Sequence, residues 1–410
     1  MTESTRLFCN LSRNELRFSH ESFRRSTLEG IYRLNVLITG GAGFIGSRLA
    51  RSLLEQGHSV TVLDNFSQQI HGSNTELTAD LSQSVRLVRG DVRDEATWAS
   101  TLPGHEVIVN LAAETGTGQS MYEVTKYEQV NLAGTALLYD LLGRHADHGV
   151  QRIVVASSRA IYGEGAYQCP EHGQVYPQPR MSSDKRNGLF DPVCPVCAVI
   201  CLSVPTPETA PFQPSSFYGL TKQVQEQMTL LFGEVFGIPS FALRYQNVYG
   251  PGQSLKNPYT GILAIFSNLA RVGADINVFE DGEESRDFVY IDDVVRATVA
   301  CVNSPEKRSY AVNVGSNERT SVMQVAQAVN RYFGGKSKVQ VTGAFRQGDI
   351  RHGMADLERA RALLGYEPRV KFEDGLRSFL AWTEDSEPEL SGYERSLEEM
   401  KDRGLLHARA

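Results

Sequence analysis

The stretch Asn35-Val36-Leu37-Ile38-Thr39-Gly40-Gly41-Ala42-Gly43-Phe44-Ile45-Gly46 decides the reading of this chain. Its first five residues are a short apolar run, suited to a strand of a parallel sheet buried on both faces. From Phe44 to about Glu55 the pattern turns helical. Between the two lies G-x-x-G-x-x-G, and each glycine has a physical task. Gly40 permits a sharp turn, Gly43 lets the backbone approach a pyrophosphate, and Gly46 lets helix and strand pack closely. The free N–H groups at the helix start then face the phosphates. A glycine triplet alone is weak evidence; here the flanking strand and helix are right.

Working outward, Ser59–Leu63 reads as a second strand ending at Asp64, 24 residues after Gly40. A carboxylate there accepts both ribose hydroxyls of NAD. It would repel the extra phosphate of NADP, and no arginine follows in Asp64-Asn65-Phe66-Ser67. Further strands are expected at 85–88, 106–109, 152–156 and 240–243, with helices at 127–142 and 217–236. Strands alternating with helices predict an α/β fold, a Rossmann-type doubly wound parallel sheet over residues 34–250. Asp91, just past the third strand, is placed to reach an adenine amino group; an ordinary turn residue is the alternative.

Three regions depart from this rhythm. Residues 1–33 are rich in Ser, Arg and Glu without a period and read as a mobile arm. Residues 163–215 hold Gly, Pro and four of the six cysteines, and form a cysteine-rich insert. After Tyr249 the pattern loosens, and 251–382 reads as a smaller mixed α/β C-terminal lobe that binds substrate. Residues 383–410 are charged and are expected to form a peripheral helix. Across 410 residues, 41 Lys+Arg against 48 Asp+Glu give a net charge of −7. That balance argues against a nucleic-acid or membrane-surface binder. No apolar run approaches the roughly 20 residues of a membrane span, and the N-terminus lacks a secretion signal pattern. A cytoplasmic protein is expected.

The chemistry is expected around Ser216-Phe217-Tyr218-Gly219-Leu220-Thr221-Lys222. Tyr218 and Lys222 are four residues apart and share one face of a helix. A free tyrosine is a poor base at neutral pH, and a neighbouring ammonium favours its phenolate. Ser157 and Ser158 end the fifth strand, where a serine hydroxyl can bond both the tyrosine and a substrate oxygen.

With these residues assembled, the chain resembles a known family. TGGAGFIGS, LDNFS, GDV, NLAAE, SSRAIYG, YGLTK and RYQNVYGPG stand in the order of the extended short-chain dehydrogenase/reductases, the NAD-dependent nucleotide-sugar epimerase and dehydratase group. The resemblance covers roughly residues 35–382. It implies NAD held through the whole cycle by Gly40, Gly43, Phe44, Ile45, Gly46, Asp64, Asn65, Asp91, Val92, Leu111, Ala112, Ala113, Tyr218 and Lys222. It implies Ser158, Tyr218 and Lys222 as the catalytic set, with Ser157 the lesser candidate. It further implies that Asn247, Arg286, Arg346 and Asp349 grip a nucleotide-diphosphate sugar, and a planar guanidinium suits diphosphate oxygens. By analogy with relatives, helices 127–142 and 217–236 form a four-helix homodimer interface.

The dehydratases place an Asp-Glu pair directly after the catalytic serine or threonine. Here those positions are Arg159 and Ala160, which argues against loss of water. A narrower resemblance, in 110–122 and SSRAIYGEG, is to dTDP-L-rhamnose 4-epimerases, which form dTDP-6-deoxy-L-talose. Thr117, Gln119 and Ser120 are then candidate pocket residues; a loop bonding to itself is the alternative. UDP-glucose-type 4-epimerases, nucleotide-sugar 4-oxidoreductases and a non-catalytic NAD-binding sensor remain competing readings.

Ser158 and Tyr218 are 60 residues apart, with Cys169-Pro170-Glu171-His172 and Cys194-Pro195-Val196-Cys197 between them. Two such turns, each with two residues between ligands, can set Cys169, His172, Cys194 and Cys197 tetrahedrally around a structural zinc. Cys201 is an alternative to His172, and Cys9 and Cys301 read as unrelated thiols. Reduced cysteines with a stray histidine are the competing reading.

Overall fold

Alternate residues of β1 (Asn35–Thr39) point to opposite faces, and both faces are covered. Val36 and Ile38 join a core with Leu49 and Leu53 of the helix Phe44–Glu55. Leu37 joins a second core with Leu138, Leu141 and Phe232. A strand sandwiched this way must be apolar along its centre, and Val36-Leu37-Ile38 meets that need. The computed structural model describes residues 33–144, 148–255, 257, 259 and 261–409. The arm expected at 1–33, apart from Arg33, and Cys9 lie outside the described residues.

The strands that follow are β2 (Ser59–Asp64), β3 (Arg86–Arg89), β4 (Val107–Asn110) and β5 (Arg152–Ser158), then β6 (Tyr167–Cys169), β7 (Gly173–Val175) and β8 (Leu202–Ser203) of the insert. After the insert come β9 (Ser240–Tyr245), β10 (Asn247–Tyr249), β11 (Ile276–Val278), β12 (Ser285–Arg286), β13 (Phe288–Tyr290) and β14 (Tyr310–Val314). A seven-stranded parallel sheet has the order β14-β9-β5-β4-β1-β2-β3. From β1 the chain builds outward through β2 and β3, then returns to start β4 on the other side of β1. The carboxyl ends of β1 and β4 therefore flank the switch point, where an open α/β sheet binds its ligand. The structure is thus the expected Rossmann-type fold.

The helix expected at 127–142 is three consecutive pieces, Val124–Tyr127, a π-helical turn Glu128–Ala133 and Gly134–Arg144. The wider turn carries Asn131, whose amide accepts from Glu114 N at 2.9 Å and donates to Thr221 Oγ1 at 3.0 Å. One buried side chain thus ties the loop after β4 to the helix of Tyr218.

The C-terminal lobe is made of short pairings. β10 pairs with β13, β11 with Val339–Val341, and β12 with Thr320–Ser321. The charged tail forms the helix Ser391–Asp402, as the sequence suggests, but its far end is not peripheral. Leu406–His407 pairs antiparallel with Phe345–Arg346, Met400 is buried, and Glu399 accepts from the hydroxyls of Tyr122 and Tyr259. Among the described residues, no helix is long and apolar enough to cross a membrane.

Candidate active site

At the switch point the glycines do what their positions require. Gly40 has φ +64°, and a Cβ there would meet Ala112 N at 2.9 Å; a Cβ on Gly46 would meet Gly40 O at 2.4 Å. Gly43 opens the helix Phe44–Glu55 without a side-chain cap, and no acidic residue lies in its first turn. The uncapped N–H groups and the dipole leave that end suited to an anion. Asp64 closes β2 with one carboxylate oxygen accepting from Ala42 N at 3.0 Å and the other from Phe66 N at 2.8 Å. It is thereby fixed beside the glycine turn, and His71 Nε2 stands 3.5 Å away.

A cavity of about 430 Å³ runs from this turn to the chemical residues. Gly40, Gly43, Phe44, Ile45, Gly46, Asp64, Asn65, Val92, Leu111, Ala112 and Ala113 line one part; Ser158, Tyr218 and Lys222 line the other. Asp91 lies outside the lining. Its carboxylate takes Arg93 and the Asn65 amide, and the Arg93 contact first of all draws its pKa down to about 2. Gln246, Gln253 and His71 also face the cavity, and sequence reasoning did not single them out.

The helix Phe217–Phe236 starts at Ser216, whose hydroxyl accepts from Gly219 N at 3.1 Å. Gly219 lets this helix close on the turn after β5, since a Cβ there would meet Ala160 O at 2.5 Å. That approach sets Tyr218 beside Ser158 on the wall of the cavity. Burial raises the Tyr218 pKa, opposed by the Ser158 bond and the Arg159 charge. Lys222, expected as a neighbouring ammonium, is held by partners other than the phenol. Its Nζ donates to Ala156 O at 2.9 Å and Gln225 Oε1 at 2.8 Å, and burial takes its pKa down to about 7. The physical reason is desolvation, which outweighs the neutral hydrogen bonds made in exchange.

Beneath these groups lies a buried network that no motif announces. Ser157 donates to Glu226 Oε2 at 2.6 Å, and Arg244 Nε reaches the same carboxylate at 3.1 Å. Arg244 also donates to the Tyr162 hydroxyl at 2.6 Å. The Ser157 hydroxyl is thus taken by Glu226, and Ser158 is the serine whose side chain acts on Tyr218.

Of the expected substrate residues, Asn247 has a buried Oδ1 with no hydrogen-bond partner. Arg346 Nε donates to Asp349 Oδ2 at 2.8 Å. Burial opposes ionisation of Asp349, but Arg346 and Arg286 outweigh it and its pKa is lowered. Arg286 donates to Arg351 O and Ile350 O, both at 3.0 Å, so it braces the same loop. Arg159 stands electrostatically beside Arg286, and burial followed by that charge takes its pKa down to about 10. Thr117 is exposed, Ser120 bonds to Thr117 O at 2.7 Å, and Gln119 bonds to Gln69; none of the three lines the large cavity.

In the insert, the ligand atoms of Cys169, His172, Cys194 and Cys197 all lie within 4.8 Å of one another. Cys201 is not among them; its thiol turns to Val199 O at 3.4 Å. Cys301 is buried in the main core, as an unrelated thiol should be.

Known proteins agree with this geometry. The family model described as the NAD dependent epimerase/dehydratase family matches residues 36–182, and that of GDP-mannose 4,6 dehydratase matches 201–379. The chain is 39% identical over 349 residues to the dTDP-L-rhamnose 4-epimerase of Burkholderia thailandensis, covering 85% of this chain and 94% of that one. The crystal structure of UDP-glucose 4-epimerase with UDP-glucose from Thermotoga maritima superposes with TM-score 0.68 at 28% identity, covering 86% of this chain and 99% of that one. The Thermus thermophilus UDP-glucose 4-epimerase complex with NAD gives 0.66 at 26%, covering 86% and 100%. With the glycine turn, Asp64 and the Ser-Tyr-Lys set in place, the chain belongs to the NAD-dependent epimerase/dehydratase family and is an enzyme of its nucleotide-sugar epimerase group.

Proposed function

We propose that this enzyme interconverts dTDP-L-rhamnose and dTDP-6-deoxy-L-talose by inverting carbon 4 of the sugar. The observation that carries the chemistry is that Ser158, Tyr218 and Lys222 line the same cavity as the glycine turn. The substrate is supported by the 39% identity to a dTDP-L-rhamnose 4-epimerase.

The residues divide the work. Gly40, Gly43 and the helix start hold the pyrophosphate of NAD, and Asp64 holds its ribose. Held there, NAD would supply the acceptor and then the donor of the carbon-4 hydride. Tyr218 as phenolate takes the proton of the sugar's 4-hydroxyl, and Ser158 holds that oxygen by a hydrogen bond. Lys222, anchored at Ala156, supplies positive charge when protonated, which favours the phenolate. Once the 4-keto sugar has turned over in the cavity, Tyr218 gives its proton back to the carbon-4 oxygen. Proton and hydride both return, so the reaction is redox-neutral. Arg286 and Arg346, with Asn247, hold the nucleotide diphosphate, and Asp349 holds the ribose of that nucleotide. Arg159 and Ala160 stand where the dehydratases carry their Asp-Glu pair, so no carboxyl group is there to move protons in loss of water.

A second element of the proposal is a homodimer. Leu220, Leu231 and Val235 are exposed on one face of the helix Phe217–Phe236, and a second copy would cover them. Leu231→Glu is expected to shift the protein to monomer in light scattering.

The test is incubation with dTDP-L-rhamnose and no added cofactor, read by proton NMR. A carbon-4 epimer without net change in nicotinamide absorbance is expected. Turnover of UDP-glucose with none of dTDP-L-rhamnose would move the substrate, and stoichiometric consumption of added cofactor would make it an oxidoreductase.

A further inference from the structure

We propose that Cys169, His172, Cys194 and Cys197 hold a zinc ion, and that this ion fixes the insert that braces the Arg346–Arg351 loop. The metal belongs to a site apart from the redox chemistry.

Three of the six edges of this four-atom cluster match a tetrahedral metal site, and all six lie within 4.8 Å. Cys169 Sγ stands 3.6 Å from Cys197 Sγ and 3.7 Å from His172 Nδ1, and Cys194 Sγ stands 3.7 Å from the same nitrogen. With zinc–sulfur bonds of about 2.3 Å and zinc–nitrogen bonds of about 2.0 Å, tetrahedral edges come to about 3.5–3.8 Å. The three measured edges fall in that range. Sulfurs 3.6 Å apart are not bonded to each other, and these cysteines are free.

The two chain segments are shaped alike. Each pair of ligands encloses two residues, and the residue after the second ligand is left-handed: Gly173 at φ +69° and Ala198 at φ +57°. An alanine in that region is strained, so something must hold it. The backbone turns back, with Ala198 N donating to Cys194 O at 2.9 Å and Val196 N aimed at Cys194 Sγ at 3.5 Å. N–H groups directed at a sulfur stabilise a thiolate ligand. The surrounding core is too small to do this alone. It comprises Tyr167, Cys169, Val175, Cys194 and Cys201, and Val196, Ile200 and Leu202 are exposed. Three thiolates and a neutral imidazole fill four positions, and the three thiol protons pass to solvent on binding. No position is left for a substrate, so the role is structural.

What the insert then holds is specific. Arg180 donates to Glu164, Glu280 and the carbonyl of Asp349. Lys185 reaches Arg346 O at 3.3 Å, and Glu164 accepts from Arg351 N at 2.8 Å. Asp191, three residues before Cys194, takes Arg351 Nε at 2.9 Å. The loop bearing Arg346 and Asp349 is therefore fastened by its backbone to an insert that the metal closes. Its consequence for substrate rests on the reading of that loop given above; the metal site does not.

The experiment uses the full chain. Metal analysis of protein purified without chelator is expected to give one zinc per chain, and Cys194→Ser with Cys197→Ser to lose it. Replacement by cobalt(II) should give the visible absorption of a tetrahedral thiolate site. After zinc is stripped, amide hydrogen exchange in 346–351 should rise about tenfold or more. Protein that carries no zinc and takes up neither zinc nor cobalt overturns the site. Zinc present, but exchange in 346–351 unchanged on stripping, overturns the bracing. Neither readout needs turnover, so loss of the epimerase reading would leave both standing.

Discussion

Lys222 Nζ donates to the carbonyl of Ala156 at 2.9 Å, two residues before Ser158. The bond joins the helix of Tyr218 to the strand of Ser158 at the wall of the cavity that both line. It also fixes the lysine in a desolvated position, with its pKa down from 10.5 to about 7.

That shift predicts a pH effect on stability. Between about pH 7 and 10.5 the unfolded chain holds a proton that the folded chain lacks, so this lysine's destabilising contribution grows as pH falls through that window and levels off below it. Lys222→Met removes the titration. Without added cofactor, the unfolding free energy of the parent relative to this variant is expected to rise by a few kcal/mol from about pH 7 to about pH 10. Urea denaturation at the two pH values measures it; a constant difference would refute the burial effect.

Tyr218→Phe removes the proton acceptor and leaves the ring. Activity is expected to fall by about 10²–10⁴-fold. NAD content, read after denaturing the purified protein, should be unchanged. Loss of both together would mean the side chain builds the cofactor site instead.

Gly46→Ala inserts a methyl 2.4 Å from Gly40 O and 2.6 Å from Gly41 Cα. Both contacts are backbone, so the turn itself must move. Affinity for NAD is expected to drop about tenfold or more, measured by calorimetry. Binding at the parental level would show that the turn does not set the pyrophosphate position.

Glu226 is 1% exposed, and Arg244, whose guanidinium it pairs, is 3% exposed. Glu226→Ala leaves that cation buried with no carboxylate, at a cost of about 3–5 kcal/mol. Chemical denaturation reads the loss. Replacing both residues by apolar ones should recover much of it.

The fold was legible because its signals are local. An apolar strand, G-x-x-G-x-x-G and an acid after the next strand are read within about thirty residues, and steric need ties each to one backbone geometry. The Cys-x-x-His and Cys-x-x-Cys turns were legible for the same reason: the spacing within each turn is a local property. The tail was legible only in part. The helix at Ser391–Asp402 follows from the sequence, but its continuation pairs with Phe345–Arg346, far away along the chain.

What the chain's letters alone determined is the doubly wound sheet, the cofactor side of the cavity and the spacing of Tyr218 and Lys222. Tertiary structure decided the rest. It turned Ser157 to Glu226 and left Ser158 to Tyr218, although both serines end one strand. It gave Lys222 a carbonyl partner, and burial shifted its proton affinity. It also brought Arg180, in the insert, against the carbonyl of Asp349, 169 residues on. The physical reason is that partner choice and desolvation depend on what packs around a group, and residues distant in sequence supply that packing.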